Sequence, residues 1–467
     1  MRNTILLFFV FFSVAALSQI STISGTDSSY AGQKLAFKMQ FNPFTNNDSV
    51  LCEVVADKNG SFKAEINLAE IREVYIDAGI NKLYLFVVPG NNYSVILPPF
   101  EKKTNADRLN PFFLPVEIHL ATSEHSEDEL NVRIRMFEDA YVPYYNKHLN
   151  MVFSDKEFKQ LDKDILQIDK PFQKSNDKFF NQYREYKYAM LRFLAMQNKS
   201  KVTSDEFLKG KPFLYNNPAY LDLFNMVFEN YFSYFSRADE NKKLSKAISE
   251  MKTYESLRNV LAQDGVIQPE ELLNMVILKG LYEEFYDDNY SRSDLLSILD
   301  SFINTVEDQT QVLIAEKVRK KVTKLLRGYE PPDFSLYDSD SNLYSLKSFS
   351  GKHVYLNFCA CFSYSCLNEF AMLKTLYEKH SQYLQIVTII IDEDVEVMKD
   401  FIQKSGYSWV FLHFDNQPEI LQQYDIRALP TYFLIDQEGK LVMSPAPSPA
   451  DEFEARLFKE LRAKGVL

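Results

Sequence analysis

Three sulfurs crowd one short stretch of this chain: of its four cysteines, Cys359, Cys361 and Cys366 all fall between Phe358 and Leu367. Thiols placed this way can exchange with disulfides, close on one another, meet a peroxide or ligate a metal, and each chemistry asks for different company. Cys361 and Cys366 lie across a strand-to-helix turn, close enough for the ~4.4–6.8 Å Cα separation of a disulfide. Cys359 and Cys361 would share one face of a continuing strand about 6.6 Å apart, at the upper limit for a bond. A zinc site built on the cluster would need a fourth ligand from elsewhere, and the histidines show no His-x-x-x-His spacing, so no metal is expected. No glycine-rich phosphate loop is present, and no cofactor is expected. Cys52 stands alone in a strand-like run and reads as a small buried apolar side chain.

The elements that must position the cluster are legible around it. Val354 to Ala360 is a continuous apolar strand, Leu367 to His380 a helix, Leu384 to Ile391 a second buried strand and Val395 to Gln403 a second helix. Strands at Trp409 to Phe414, Tyr432 to Ile435 and Leu441 to Ser444, with helices at Glu419 to Tyr424 and from Asp451, complete a layered α/β domain. A central strand delivers the chain to its C-terminal edge, where sites in such sheets collect, so Cys366 should open the helix with Cys361 or Cys359 as its nearest sulfur. The carboxylates Asp392-Glu393-Asp394 follow a strand and read as solvated loop or helix-cap residues.

These residues resemble the TlpA-like branch of the thioredoxin superfamily. Pro332-Asp333-Phe334-Ser335-Leu336, Leu346 to Lys352 and Val354-Tyr355-Leu356-Asn357-Phe358 look like its opening strands, and Leu429-Pro430-Thr431-Tyr432-Phe433-Leu434-Ile435-Asp436 with Gly439 looks like its proline loop and hairpin. In the family the strand ending in Asn-Phe runs into Trp-Ala-x-Trp-Cys-x-x-Cys. Aligned without gaps, Cys359 and Phe362 take the positions of the two tryptophans, Ser363 that of the first cysteine and Cys366 that of the second. The first cysteine of such enzymes sits at a helix N-terminus, whose partial positive charge makes it a thiolate near neutrality. A serine hydroxyl stays protonated there and has no sulfur to oxidise, so the ordinary exchange cannot run through Ser363 and Cys366.

The resemblance thus implies an exported relative of the thiol-disulfide oxidoreductases, non-reducing or altered in redox activity. It also implies a groove at Leu429, Pro430 and Thr431 in which a cis proline meets an extended polypeptide or another envelope protein. The alternative is an atypical thiol oxidoreductase or peroxidase using Cys366 with Cys361 or Cys359. Ser363-Tyr364-Ser365-Cys366 with Glu369 resembles the Thr/Ser-x-x-Cys-x-x-Glu of peroxiredoxins, although the arginine of that family is displaced here to Arg427. Whether the chain is an enzyme stays open at this point.

With 467 residues, 46% hydrophobic and 25% charged, the chain is globular and longer than one core usually serves. Residues 1–18 read as a signal peptide: Arg2, an apolar run from Ile5 to Phe12, then Ala16-Leu17-Ser18. Export to a periplasm or cell envelope follows, with no membrane span after cleavage. Residues 19–115 alternate as short strands, with Asp57-Lys58-Asn59-Gly60 as the clearest hairpin turn, and suggest a β-sandwich. Residues 116–327 take helical period, with capping boxes at Ser126 and Glu129, Ser154 and Glu157, Thr203 and Glu206, and a stripe of Tyr220, Phe224, Phe228 and Phe232 read as core. The fold expected is multidomain: an N-terminal β-sandwich, a helical middle and a thioredoxin-like domain over 328–467. A net charge of −12 without a long basic cluster excludes a phosphate-tracking surface, so no nucleic acid is expected.

Overall fold

The computed structural model describes residues 18–467 except 46–47, 124–125, 150–154, 196–198, 240–241, 416, 464 and 466–467. The signal-peptide reading of residues 1–17 and the Ser154 cap lie outside the described residues. Contacts divide the chain into two compact units. One takes the chain up to Lys102 together with Pro115–Val318; the other takes Lys103–Leu114 together with Arg319–Leu467.

The first unit begins with two sheets. Ser61–Leu68, Gln19–Thr26, Asn92–Ile96 and Ala121–Thr122 form one, in that spatial order; Asp48–Val55, Lys34–Gln40, Arg72–Ala78, Asn81–Val87 and Val116–His119 form the other. Period-two alternation turns Phe62, Ala64, Ile66 and Leu68 inward, where they meet Leu35, Phe37, Val74 and Leu83 in one shared core. The Asp57 turn forms as expected but by different means. Only Gly60 takes positive φ, at 76°, while the Asp57 carboxylate accepts the Asn59 and Ser61 N–H groups. A Cβ at Gly60 would lie 1.8 Å from the Asp27 carbonyl oxygen, so glycine is required there.

The helices from Leu130 to Val318 belong to the same unit as these sheets. The expected boundaries at 115 and 327 follow changes of period, and period reports secondary structure rather than membership of a core. Tyr220, Phe224, Phe228 and Phe232 are fully buried, as their spacing requires. Two capping boxes are replaced: Glu129 itself caps Leu130–His148 by accepting the Val132 N–H, and Thr203 lies inside a continuous helical stretch, Ser200 to Leu208.

In the second unit, seven strands lie in the order Leu343–Tyr344, Leu336–Asp338, Val410–His413, Leu384–Ile390, His353–Cys359, Thr431–Ile435 and Leu441–Ala446. His353–Cys359 is buried along its whole length, parallel to Leu384–Ile390 and antiparallel to Thr431–Ile435. Both of its faces are covered, which is why it reads as an unbroken apolar run rather than an alternating one. Val354, Leu356 and Phe358 point into one core with Phe334, Leu412 and Tyr424. Tyr355 and Cys359 point into the other, with Phe370, Leu373 and Leu376 of the helix Tyr364–His380. That parity puts the Cys359 sulfur under the helix that carries Cys366. Among the described residues, no helix is long and apolar enough to cross a membrane.

Candidate functional site

The site is built where the central strand ends. After Cys359 the chain does not continue as a strand: the Cys361 N–H donates to Asp392 Oδ2 at 2.7 Å, and a helix starts at Tyr364. The expectation that Cys359 and Cys361 share a strand face is thereby corrected, because Asp392 draws Cys361 to the end of the neighbouring strand. Ser363, which the gap-free alignment sets against the first family cysteine, serves as the helix N-cap, its Oγ accepting the Cys366 N–H at 3.5 Å. Its hydroxyl thus satisfies one of the helix's open donors, which moves the helix start three residues ahead of the sequence expectation.

The three sulfurs sit in different surroundings. Cys366 is fully buried in the first helical turn, in the same core as the fully buried Cys359. Interaction with the Cys359 thiol is the main reason the Cys366 thiol is lowered to about 7 against the opposing effect of burial, with smaller help from the Ala360 backbone and Ser363. Cys359 is pushed well up, by burial first and then by its interaction with Cys366. Asn357 Nδ2 also points at Cys359 Sγ, at 3.4 Å, and is itself held by Thr388 Oγ1, which in turn accepts from the Trp409 indole. Cys361 is half-buried and pushed up to about 12, by burial and then by the Asp392 carboxylate. The thiol with access stays protonated, and the thiol inclined to ionise is inside.

Two carboxylates matter here. Glu369, one turn after Cys366, accepts the Tyr432 hydroxyl at 2.6 Å, and its charge raises both Cys359 and Cys366. Its own carboxyl is pushed up by burial. Asp392, read as solvated, is only 7% exposed. Its place at the C-terminal edge of a central strand is the one signal in the sequence that could have found it. Asp394 is the helix cap expected of that run, accepting from Glu396, and Glu393 pairs with Arg108 of the Lys103–Leu114 segment.

Leu429–Pro430 is cis, and Thr431 pairs with Phe358, so one further step of that antiparallel register brings Pro430 level with Cys359. Phe362 and Tyr364, flanking Ser363, are 69% and 77% exposed. Beside Phe362 opens a mostly apolar cavity of about 450 Å³ whose walls include Leu109, Ile391, Val397 and Phe414. Arg427, the cation nearest the peroxiredoxin pattern, is turned to Asp425 at 3.1 Å.

Comparison with known proteins bears on the C-terminal region. The Redoxin family model matches residues 327–455. The thiol-disulfide oxidoreductase ResA of Bacillus thuringiensis is 33% identical over 123 residues, which cover 26% of this chain and 70% of that protein. Two solved structures are also similar. A putative thiol-disulfide oxidoreductase from Bacteroides vulgatus is 26% identical, covering 29% of this chain and 92% of that one with a TM-score of 0.27. A putative thiol:disulfide interchange protein DsbE from Chlorobium tepidum is 24% identical, covering 30% and 98% with a TM-score of 0.27. Through its C-terminal region, on a TlpA-like thioredoxin fold, the chain belongs to the family of thiol-disulfide oxidoreductases that includes ResA.

Proposed function

We propose that this is an exported binding module of the thioredoxin family that holds an extended polypeptide beside Leu429, Pro430 and Thr431 without reducing it. The reading rests on the alignment that sets Ser363 at the position from which a thiolate would attack a bound disulfide, and one observation supports it: the remaining helix thiol, Cys366, is fully buried. A protein disulfide must touch the attacking sulfur, and among the described residues none of the accessible groups at this edge is a thiolate near neutrality. The surface a partner would meet is intact. Phe362 and Tyr364 are exposed aromatics, of the kind that dominate binding interfaces, and the cavity beside Phe362 has room for a side chain.

Two measurements test the proposal on the full chain. Insulin reduction with dithiothreitol should show no catalysed turnover, and rapid turnover abolished by Cys366→Ser would overturn it. Reduced, carboxymethylated lactalbumin, an unfolded polypeptide without thiols, should bind, and Phe362→Ala should weaken that binding roughly tenfold, the effect of about 1.4 kcal/mol at a buried aromatic contact. Absence of binding, or binding indifferent to Phe362→Ala and Tyr364→Ala, would remove the module reading.

A further inference from the structure

The cavity beside Phe362 is lined from two distant parts of the sequence. Phe362, Ile391, Val397 and Phe414 lie in the region that the Redoxin family model matches, whereas Arg108 and Leu109 lie far ahead of it, in the Lys103–Leu114 segment. That segment is held at this edge by the Arg108–Glu393 pair at 2.9 Å and by Leu109, which packs on the core containing Phe414. The short helix Asn105–Leu109 sets the spacing of the two side chains, and Thr104 caps it in a reciprocal bond with Asp107. One wall of the cavity therefore comes from outside the part of the chain that the family model matches.

The interior of the cavity is apolar and its rim is acidic. Asp392, Glu393 and Asp394 all line it, against the one cation Arg108, which is engaged with Glu393. Among the described residues no cation pairs with Asp392 or Asp394; each accepts a main-chain N–H instead, from Cys361 at 2.7 Å and from Glu396 at 2.9 Å. Such a surface repels an acidic ligand and attracts one that carries a positive charge next to an apolar body. An extended polypeptide supplies both, because successive side chains point to opposite sides: one enters the cavity while a long basic neighbour keeps its charge at the solvated rim. Phe362 and Phe414 favour an aromatic ring as the group that enters, since rings pack edge to face on one another. On the reading that this module holds an extended polypeptide, we propose that the cavity selects an aromatic residue flanked by lysine or arginine, and that Leu109 and Val397 set the size it accepts.

The test uses the full chain and fluorescein-labelled Gly/Ser peptides of one length that differ only at two central positions, Phe-Lys, Phe-Glu, Ala-Lys or Ala-Glu, with binding followed by fluorescence anisotropy. Phe-Lys should bind about tenfold tighter than Ala-Lys, the effect of one buried aromatic anchor. It should bind roughly fivefold tighter than Phe-Glu at low salt, a margin that shrinks as salt screens the rim. Val397→Trp, at a position 42% exposed and so tolerant of a larger side chain, should fill the cavity mouth and remove the preference for Phe over Ala. Asp394→Asn keeps a side chain able to cap its helix but drops one charge, and should reduce the preference for Lys over Glu while leaving that for Phe intact. Preferences untouched by Val397→Trp would place recognition elsewhere and overturn the assignment. Phenethylamine, which carries ring and charge without a polypeptide, would overturn it as well by binding as tightly as the Phe-Lys peptide. Lactalbumin binding by the unaltered chain separates the two readings. If lactalbumin binds but the peptides bind alike whatever their central residues, the cavity assignment falls and the binding module stands; a chain that holds neither removes both.

Discussion

Removing the thiol of Cys359 should move the titration of its neighbour. In Cys359→Ala the buried volume changes by little more than a sulfur, but the strongest influence holding the Cys366 thiol near 7 is gone while burial remains. From about 7 back to the ordinary thiol value of 9.0 is a shift of two units, roughly 2.7 kcal/mol of preference for the thiolate at 1.36 kcal/mol per unit. The sign follows directly: raising the value means less thiolate at any pH below it. At pH 7 a group titrating at 7 is half ionised, and one titrating at 9 is about 1% ionised, so the rate of a thiolate reaction falls about fiftyfold. The assay is the rate of Cys366 modification by methyl methanethiosulfonate between pH 5 and 10, in a background carrying Cys52→Ser and Cys361→Ser. Access to a buried sulfur scales every rate alike and leaves the midpoint untouched. With Cys359 present the midpoint should lie near 7, and with alanine it should rise to 9 or above. A midpoint unchanged by the substitution would show that the Cys359 thiol does not control Cys366.

Other perturbations follow from the same geometry. Ser363→Cys should restore a reducible Cys-x-x-Cys pair with Cys366 and with it measurable insulin reduction; failure to form a bridge between positions 363 and 366, mapped by mass spectrometry, would mean that the alignment of Ser363 with the first family cysteine is wrong. Gly280→Val should lower the thermal midpoint of the first unit, because even a Cβ at Gly280 would lie 2.3 Å from the Phe232 ring. Overpacking of that kind costs about 1–3 kcal/mol, and an unchanged midpoint by calorimetry would show that the ring can move aside.

The thioredoxin-like unit was legible because its strands are either buried on both faces, as at Val354 to Phe358, or bounded by clear turns, as at Asp436 to Gly439. The Gln19–Thr26 strand was missed for the opposite reason. Its inward face is Ser21, Ile23 and Gly25, with a single large apolar side chain, while Ile20 points outward at 63% exposure, so hydrophobic periodicity distinguishes neither face. Gly25 is bare because Phe62 and Val95 pack where its side chain would be. In the site, the residue types and the cis proline could be anticipated, but not the path of the chain after Cys359. That path rests on Asp392 accepting the Cys361 N–H, a contact between residues 31 apart in sequence that no local pattern encodes. Asp392 was misread for a related reason: a carboxylate after a strand is usually solvated, and only the turn it anchors makes this one interior.

The assignment of Lys103–Leu114 to the C-terminal unit sets an order of events on the ribosome. Arg108 pairs with Glu393 across 285 residues, and Leu109 packs against the core that contains Phe358 and Leu412. At about 5–20 residues per second the segment leaves the exit tunnel roughly 15–60 s before the chain that completes its fold. During that interval Leu109 has no native apolar partner from the C-terminal unit, and the strands on either side of the segment belong to a unit whose own last helix is still being made. A gene cut at Arg319 to isolate the thioredoxin-like part would discard these residues and leave Ile391, Phe414 and Pro418 without the wall that Leu109 supplies to their cavity.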